Sequence, residues 1–292
     1  MNLKNLTSDR INKFIDLALE EDIGDGDHSS LASVPANAIN KAQLLIKDKG
    51  ILAGVELANN IFTRVDSSLN VETFIKDGEN IKPGDIAFNV TGNARSILKA
   101  ERLVLNCMQR MSGIATYTNK LKQLITDATN PGCRDAPVLQ DTRKTTPNFR
   151  MMEKWAVAIG GGVNHRLGLY DMILLKDNHI DYAGGIRNAI EATQKYLKKN
   201  ELKLKIEIET RNIAEVKEVL NIGGVDRIML DNMPVEEMKK AVKLINNRFE
   251  IEASGGITEK NIAEAAKCGV DYISVGALTH SVRSLDMSLK AL

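Results

Sequence analysis

Residues 204–232 read LKIEIETRNIAEVKEVLNIGGVDRIMLDN. An apolar run at 204–208 ends on Glu209, an amphipathic helical stretch follows, and a second run at 227–230 ends on Asp231 and Asn232. Working outward, the same grammar recurs. Short runs rich in Val, Ile, Leu or Met occupy 138–140, 172–175, 204–208, 227–230, 249–253 and 272–275. They are followed by Asp141-Thr142-Arg143-Lys144, Lys176-Asp177-Asn178, Glu209, Asp231-Asn232, Ser254-Gly255-Gly256 and Gly276-Ala277. Measured from Arg143, Lys176, Glu209, Asp231, Ser254 and Gly276, the spacings are 33, 33, 22, 23 and 22 residues, which suits right-handed βα units on a parallel sheet. Polar chemistry after every run, rather than at one switch point, indicates an α/β barrel whose βα loops build the site and not a doubly wound sheet. The tract 138–276 is too short for eight such units, so an incomplete barrel of six or seven strands is expected.

Upstream the pattern changes. Ile11, Phe14, Ile15, Ala18 and Leu19 recur at helical spacing behind Ser8-Asp9, and Gly24 and Gly26 end that helix. Between about 42 and 90, β-prone runs at 43–46, 71–75 and 86–90 are separated by Asp77-Gly78 and Pro83-Gly84 turns, as in a small α+β domain. Residues 76–85 resemble the turn of a biotinyl or lipoyl carrier, yet no lysine stands at a hairpin tip, and a plain sheet turn is preferred. Residues 94–111 are strongly helical, Ser112-Gly113 is expected to break that helix, and a second helical stretch runs to about 127. The N-terminal α+β domain is therefore taken as 1–115 and the barrel as 116–281, with 282–292 placed to return to the first domain. Trp155 and Met151-Met152 read as core.

The 292 residues carry 39 Lys+Arg against 38 Asp+Glu, a net charge of +1, with 43% hydrophobic and 26% charged residues. That composition excludes disordered and fibrous classes. A pI near 7.7 without long basic runs gives no general drive toward nucleic acid or an anionic membrane. The opening residues carry acids throughout and read as neither signal nor transit peptide, and no stretch approaches the roughly 18 apolar residues of a spanning helix. Cys107, Cys133 and Cys268 are odd in number and widely spaced, which argues against disulfides or structural zinc. A reducing cytoplasm is expected.

The densest chemistry lies in Asp141-Thr142-Arg143-Lys144-Thr145-Thr146-Pro147 and in Gly160-Gly161-Gly162-Val163-Asn164-His165-Arg166. Arg143, Lys144, His165 and Arg166 gather potential cations near one barrel mouth, and guanidinium forks match planar carboxylates and phosphates. A substrate with several negative charges is implied. The triple glycine fits neither a dinucleotide fingerprint nor a Walker loop, and its expected role is close backbone approach to a ligand or helix. Glu209 and Asp231 admit three readings: a hydrated Mg²⁺ bound with substrate phosphates or ribose hydroxyls, a salt bridge to Lys176, or acid–base work by Glu209. Ser254-Gly255-Gly256 and Gly276-Ala277 precede helical stretches and are expected to hold a phosphate with their N–H groups. His28, His179 and His280 are isolated and read as structural.

These stretches together resemble the quinolinate phosphoribosyltransferase family. The resemblance runs through EEDIGDGDHSS (20–30), ERLVLNCMQRMSGIAT (101–116), DTRKTTPNFR (141–150), GGGVNHRLGLYDMILLKDNHI (160–180), IMLDNM (228–233), EASGGI (252–257) and ISVGALTHS (273–281). It implies an N-terminal α/β domain, an open α/β barrel, and a homodimer in which one subunit's N-terminal part closes its partner's barrel. Arg102 would reach into the partner's site, and Arg143, Lys144, His165, Arg166 and Lys176 would surround quinolinate. Glu209 and Asp231 would serve Mg²⁺ and the ribose of phosphoribosyl pyrophosphate, and Ser254, Gly255, Gly256, Gly276 and Ala277 its 5-phosphate. Lys144, Lys176, Glu209 and Asp231 are the residues expected to act on the reaction itself. The family usually has glycine after Pro147, whereas Asn148 follows it here, so a different packing of that loop is expected. Nicotinate phosphoribosyltransferase, with one carboxylate to bind, has less use for so many cations. A phosphate-binding barrel lyase or isomerase would call on Lys176 or Glu209. The paired acids of the common phosphoribosyltransferase fold are absent, because Leu230-Asp231-Asn232 holds only one.

Overall fold

The computed structural model describes residues 6–129 and 136–292, so the expectation about Cys133 lies outside the described residues. In chain order the first elements are α1 (Ser8–Ile23), α2 (His28–Ser33), β1 (Ile39–Ile46), β2 (Gly50–Ile51), α3 (Val55–Val65), β3 (Asn70–Thr73), β4 (Asn80–Ile81), β5 (Ile86–Asn93) and α4 (Ala94–Ala128). There follow β6 (Val138–Gln140), α5 (Arg150–Ile159), β7 (Ile173–Leu175), α6 (Asp177–Tyr182), α7 (Ile186–Lys199), β8 (Ile206–Thr210) and α8 (Ile213–Ile222). The last are β9 (Arg227–Asp231), α9 (Val235–Ile245), β10 (Glu250–Ser254), α10 (Ile262–Ala266), β11 (Tyr272–Ser274), α11 (Ala277–His280) and β12 (Met287–Ala291). The chain falls into two compact units. One comprises Met1–Asn119, Thr145–Gly161 and Leu278–Leu292, the other Lys120–Lys144 and Gly162–Ala277.

In the first unit an antiparallel sheet has the order β12-β1-β5-β3. Ala42, Leu44 and Ile46 alternate on the buried face of β1, beside Phe88 and Val90 of β5. Phe88 meets Phe62 of α3 edge to face at 5.8 Å between centroids. Leu44 pairs with Leu289, so the last residues of the chain supply an edge strand. The 76–85 segment is structural: the Asp77 carboxylate accepts from the N–H groups of Val55 (2.9 Å) and Glu56 (3.2 Å). It thereby caps α3, whose own cap residue, Gly54 at φ +97°, has no side chain to offer.

The expected break at Ser112-Gly113 does not occur; α4 is a single helix of 35 residues. Ser112 and Gly113 are small because of what lies against them. The Ser112 hydroxyl accepts from Ala53 N (2.9 Å) and donates to Ala53 O (3.1 Å), while a Cβ at Gly113 would collide with the Arg283 carbonyl. Close packing here outweighs the ~1 kcal/mol that glycine costs a helix. The fully buried Glu153 of α5 accepts from Arg110 Nε (3.1 Å) and Nη2 (2.9 Å) and from Thr146 N (3.0 Å) and Oγ1 (2.9 Å). Arg110 also donates to the carbonyls of Val282 and Thr279. This joint ties α4, α5 and the C-terminal segment together, which is why α5 groups with the first unit although β6 belongs to the second.

The second unit holds six parallel strands in the order β6-β11-β10-β9-β8-β7. That is the cyclic order of a barrel opened between β6 and β7. Strands three places apart in a flat sheet are about 14 Å apart, yet Arg227 Nη1 on β9 lies 3.2 Å from Gln140 Oε1 on β6. The sheet is therefore curled, and the fold is the incomplete α/β barrel in its six-stranded form.

Candidate active site

The second unit gathers most of the predicted residues at the carboxyl ends of its strands. Arg143 and Lys144 follow β6, Lys176 follows β7, Glu209 and Asp231 close β8 and β9, Ser254 ends β10, and Gly276-Ala277 follow β11. His165 and Arg166 lie on the loop entering β7. That loop is held by Asp141, fully buried, which accepts from Asn164 Nδ2 (2.7 Å) and His165 N (2.9 Å). Asp171 closes the next turn by accepting from Leu167 N (2.7 Å) and Gly168 N (2.9 Å).

Arg166 is buried, with Nη1 donating to Met172 O at 3.2 Å. Burial, and then the nearby charge of Arg143, draw its pKa below the ordinary guanidinium value. The charges of Asp171, Glu207 and Glu209 act the other way. Lys144 and Lys176 are exposed at the same strand ends. The Lys176 ammonium lies 2.9 Å from Glu209 Oε1, and Asp177 N donates to Glu209 Oε2 at 3.2 Å, so the salt-bridge reading of Glu209 is realised. His179 is structural: its Nδ1 accepts from Lys176 N at 2.9 Å at the start of α6.

His165, expected among the residues around quinolinate, has both ring nitrogens engaged by protein groups. Its Nδ1 accepts from Arg166 N at 2.8 Å, and its Nε2 lies 2.9 Å from Glu207 Oε2 and 3.4 Å from Glu252 Oε2. Burial disfavours its charged form, but the two carboxylates outweigh burial and push its pKa up to about 9. The charges favour an imidazolium, whereas the main-chain N–H at Nδ1 suits a neutral ring. In both forms Nε2–H points at the carboxylates.

For Mg²⁺ the donor chemistry fits, since hard carboxylate oxygens end two adjacent strands. Both Glu209 oxygens already have partners, while Asp231, half-buried, accepts from Asn232 Nδ2 at 2.8 Å through one oxygen. Asp231 and Glu209 together offer the hard carboxylate oxygens such an ion would need.

One glycine expectation changes. Gly255 and Gly256 adopt φ +81° and +60°, but α10 starts only at Ile262, so they form a turn rather than a helix N-terminus. Asn232 packs against Gly255 where a Cβ would sit. Gly276-Ala277 do lead directly into the short α11. In the triple glycine, Gly160 is pressed against Ala115 O and Thr118 of α4, so its role is helix packing. Asn148 adopts φ +63°, the conformation glycine favours and asparagine tolerates, so the Pro147-Asn148 departure is met without strain. Arg102 is exposed on α4 in the first unit.

Sequence reading missed Asp141 as an organiser and the charged barrel interior of Glu207, Arg227 and Glu252. The signal was present: in Ile206-Glu207-Ile208-Glu209 and Ile251-Glu252 the acids alternate with apolar residues. Side chains two apart share one face of a strand, so Glu207 must face where Glu209 faces.

Family models for quinolinate phosphoribosyl transferase match this chain in both halves, the N-terminal domain at residues 27–112 and the C-terminal domain at 114–290. A rice protein named nicotinate-nucleotide pyrophosphorylase (carboxylating), chloroplastic, is 49% identical over 94% of this chain and 76% of its own length. A tobacco protein named quinolinate phosphoribosyltransferase (decarboxylating) 2a, mitochondrial, is 47% identical over 94% of this chain and 80% of its own. The crystal structure of NadC from Streptococcus pyogenes superposes with a TM-score of 0.89 at 38% identity, covering 97% of this chain and 96% of that one. The cytoplasmic expectation is overturned by the organellar names of the plant relatives. It rested partly on scattered cysteines, and the buried Cys107, whose thiol burial pushes up to about 12, reports packing rather than compartment. No helix among the described residues is long and apolar enough to cross a membrane.

Proposed function

The chain belongs to the quinolinate phosphoribosyl transferase family, and we propose from that premise that the polar strand ends of its barrel bind quinolinate beside phosphoribosyl pyrophosphate. The protein is a decarboxylating phosphoribosyltransferase that forms nicotinate mononucleotide, pyrophosphate and CO₂ in NAD biosynthesis. What supports the substrate assignment is the placing of Arg143 and Lys144 after β6, Arg166 on the loop entering β7 and Lys176 after β7, cations suited to the two carboxylates of one small reactant.

Two adjacent carboxylates on one reactant and a phosphate with a pyrophosphate on the other repel each other, and fixed cations hold them together. Arg143 and Arg166 take the quinolinate carboxylates. Lys144 and Lys176 face the departing pyrophosphate, and Lys176 is held in place by Glu209. His165 belongs to the quinolinate side through Arg166. Ser254, Gly255, Gly256, Gly276 and Ala277 cradle the 5-phosphate with main-chain N–H groups. The pyridine nitrogen attacks the anomeric carbon as the bond to pyrophosphate breaks through an oxocarbenium-like state. The positively charged ring then accepts the electron pair released when the adjacent carboxylate leaves as CO₂, and a proton takes its place. Asp231 and Glu209 would hold Mg²⁺, whose chemistry when bound is to supply positive charge to the leaving pyrophosphate. The functional unit is a homodimer, with Arg102 covering the partner's site.

Mixing the protein with quinolinate, phosphoribosyl pyrophosphate and Mg²⁺ should release CO₂ and nicotinate mononucleotide in equal amounts, and nicotinate should not replace quinolinate. Turnover of nicotinate at the same rate would count against the dicarboxylate site.

A further inference from the structure

Below the strand ends the barrel interior is charged. Glu207 and Glu252 are fully buried, and they reach His165 Nε2 from β8 and β10, strands separated only by β9. Arg227 of β9 stands between them, with Nη1 3.0 Å from Glu252 Oε2 and 4.0 Å from Glu207 Oε1. It also donates to Gln140 at 3.2 Å, and its guanidinium carbon lies over the Tyr272 ring, 3.8 Å from the centroid. The set His165, Glu207 and Glu252 is close enough to hold a metal ion. Arg227 already supplies the positive charge, so the set reads as an ionic joint.

The path outward from this joint is short. Nε2 of His165 is gripped by the carboxylates, Nδ1 grips the main-chain N–H of Arg166, and the Arg166 side chain is anchored on Met172 O. Both ring nitrogens thus have protein partners, and what the ring can transmit is the placement of the residue beside it.

We propose that Glu207 and Glu252, braced by Arg227, are positioning residues that clamp His165 so that it sets Arg166 for the dicarboxylate. The clamp rests on the quinolinate assignment and adds a residue layer to it. Loss of a charge-assisted hydrogen bond that fixes a binding arginine should weaken quinolinate by about tenfold or more. The 5-phosphate end of the phosphoribosyl pyrophosphate site, on the loops after β10 and β11, does not depend on Arg166.

The test is a double-mutant cycle. Glu207→Ala should raise the KM for quinolinate by about tenfold or more while leaving that for phosphoribosyl pyrophosphate within about twofold. Glu207→Gln, which keeps an acceptor for Nε2–H, should recover most of the loss, and it stands in if the alanine variant does not fold. His165→Ala combined with Glu207→Ala should be no worse than either alone, because both break one chain of contacts. In the free wild-type protein the His165 Nε2 proton should give a slowly exchanging imidazole resonance that disappears in Glu207→Ala. Additive effects would overturn the clamp and put His165 directly on the substrate. Equal losses for both substrates, or silent glutamate variants, would overturn it too. The resonance needs no substrate, so it reads the clamp even if quinolinate proves not to be turned over.

Discussion

At the scale of single residues, position within a fixed pattern decides the role. Arg166 sits buried beside a second guanidinium, so its removal should leave a desolvated carboxylate of quinolinate without a partner. Arg166→Ala should weaken quinolinate binding by roughly 2 kcal/mol or more, about thirtyfold, and phosphoribosyl pyrophosphate binding far less. Calorimetry with each ligand separately checks this, and equal losses would remove Arg166 from the dicarboxylate site. Asn148 shows the same logic in the backbone. At φ +63° asparagine is tolerated and a β-branched residue is not, so Asn148→Val should cost about 1–3 kcal/mol while Asn148→Gly stays near neutral in thermal unfolding. Both residues stand out in the sequence, one as a cation in a cluster and one as a substitute for glycine. Glu207 did not stand out, because an acid inside an apolar run reads as an interruption until the strand's two faces are separated.

At the scale of elements, glycines and serines that look like breaks turn out to be contacts. The reading of Ser112-Gly113 as a helix end follows from local propensity alone, and propensity is a weak preference against packing. Gly160 ends α5 with no room for a Cβ against Ala115 of α4. Since the obstacle is backbone rather than a flexible side chain, Gly160→Ala should lower stability by about 1–3 kcal/mol through displacement of α5. Because Glu153 of α5 also holds Thr146, two residues beyond Lys144, activity should fall along with the melting temperature. A variant with an unchanged melting temperature would show that the helices have room to part. The ends of the six barrel strands were legible to within a residue or two, because runs of Val, Ile and Leu between polar clusters have few other readings, whereas β1 begins four residues before its expected run.

At the scale of the whole molecule, Arg102 belongs to one unit and the remaining candidate cations to the other. Arg102 makes no ion pair among the described residues and is exposed. If it acts on a partner's site, Arg102→Ala and Arg166→Ala proteins, each nearly inactive, should recover part of the activity on mixing, because a heterodimer has one site with both arginines. With subunit exchange verified by mass, no recovery would defeat the shared site. The six β-prone runs of the barrel and the polar ends they carry follow from local pattern, since alternation and periodicity are properties of neighbours in the chain. The family resemblance followed from the same short motifs. Only the curled sheet could bring Gln140, Glu207, Arg227 and Glu252 together under His165, and only the packed helices could turn Arg110 and Glu153 into one joint. Those groups lie far apart along the chain. Placing two charges together inside a core depends on which surfaces close over them, a matter of three-dimensional burial that no stretch of sequence contains.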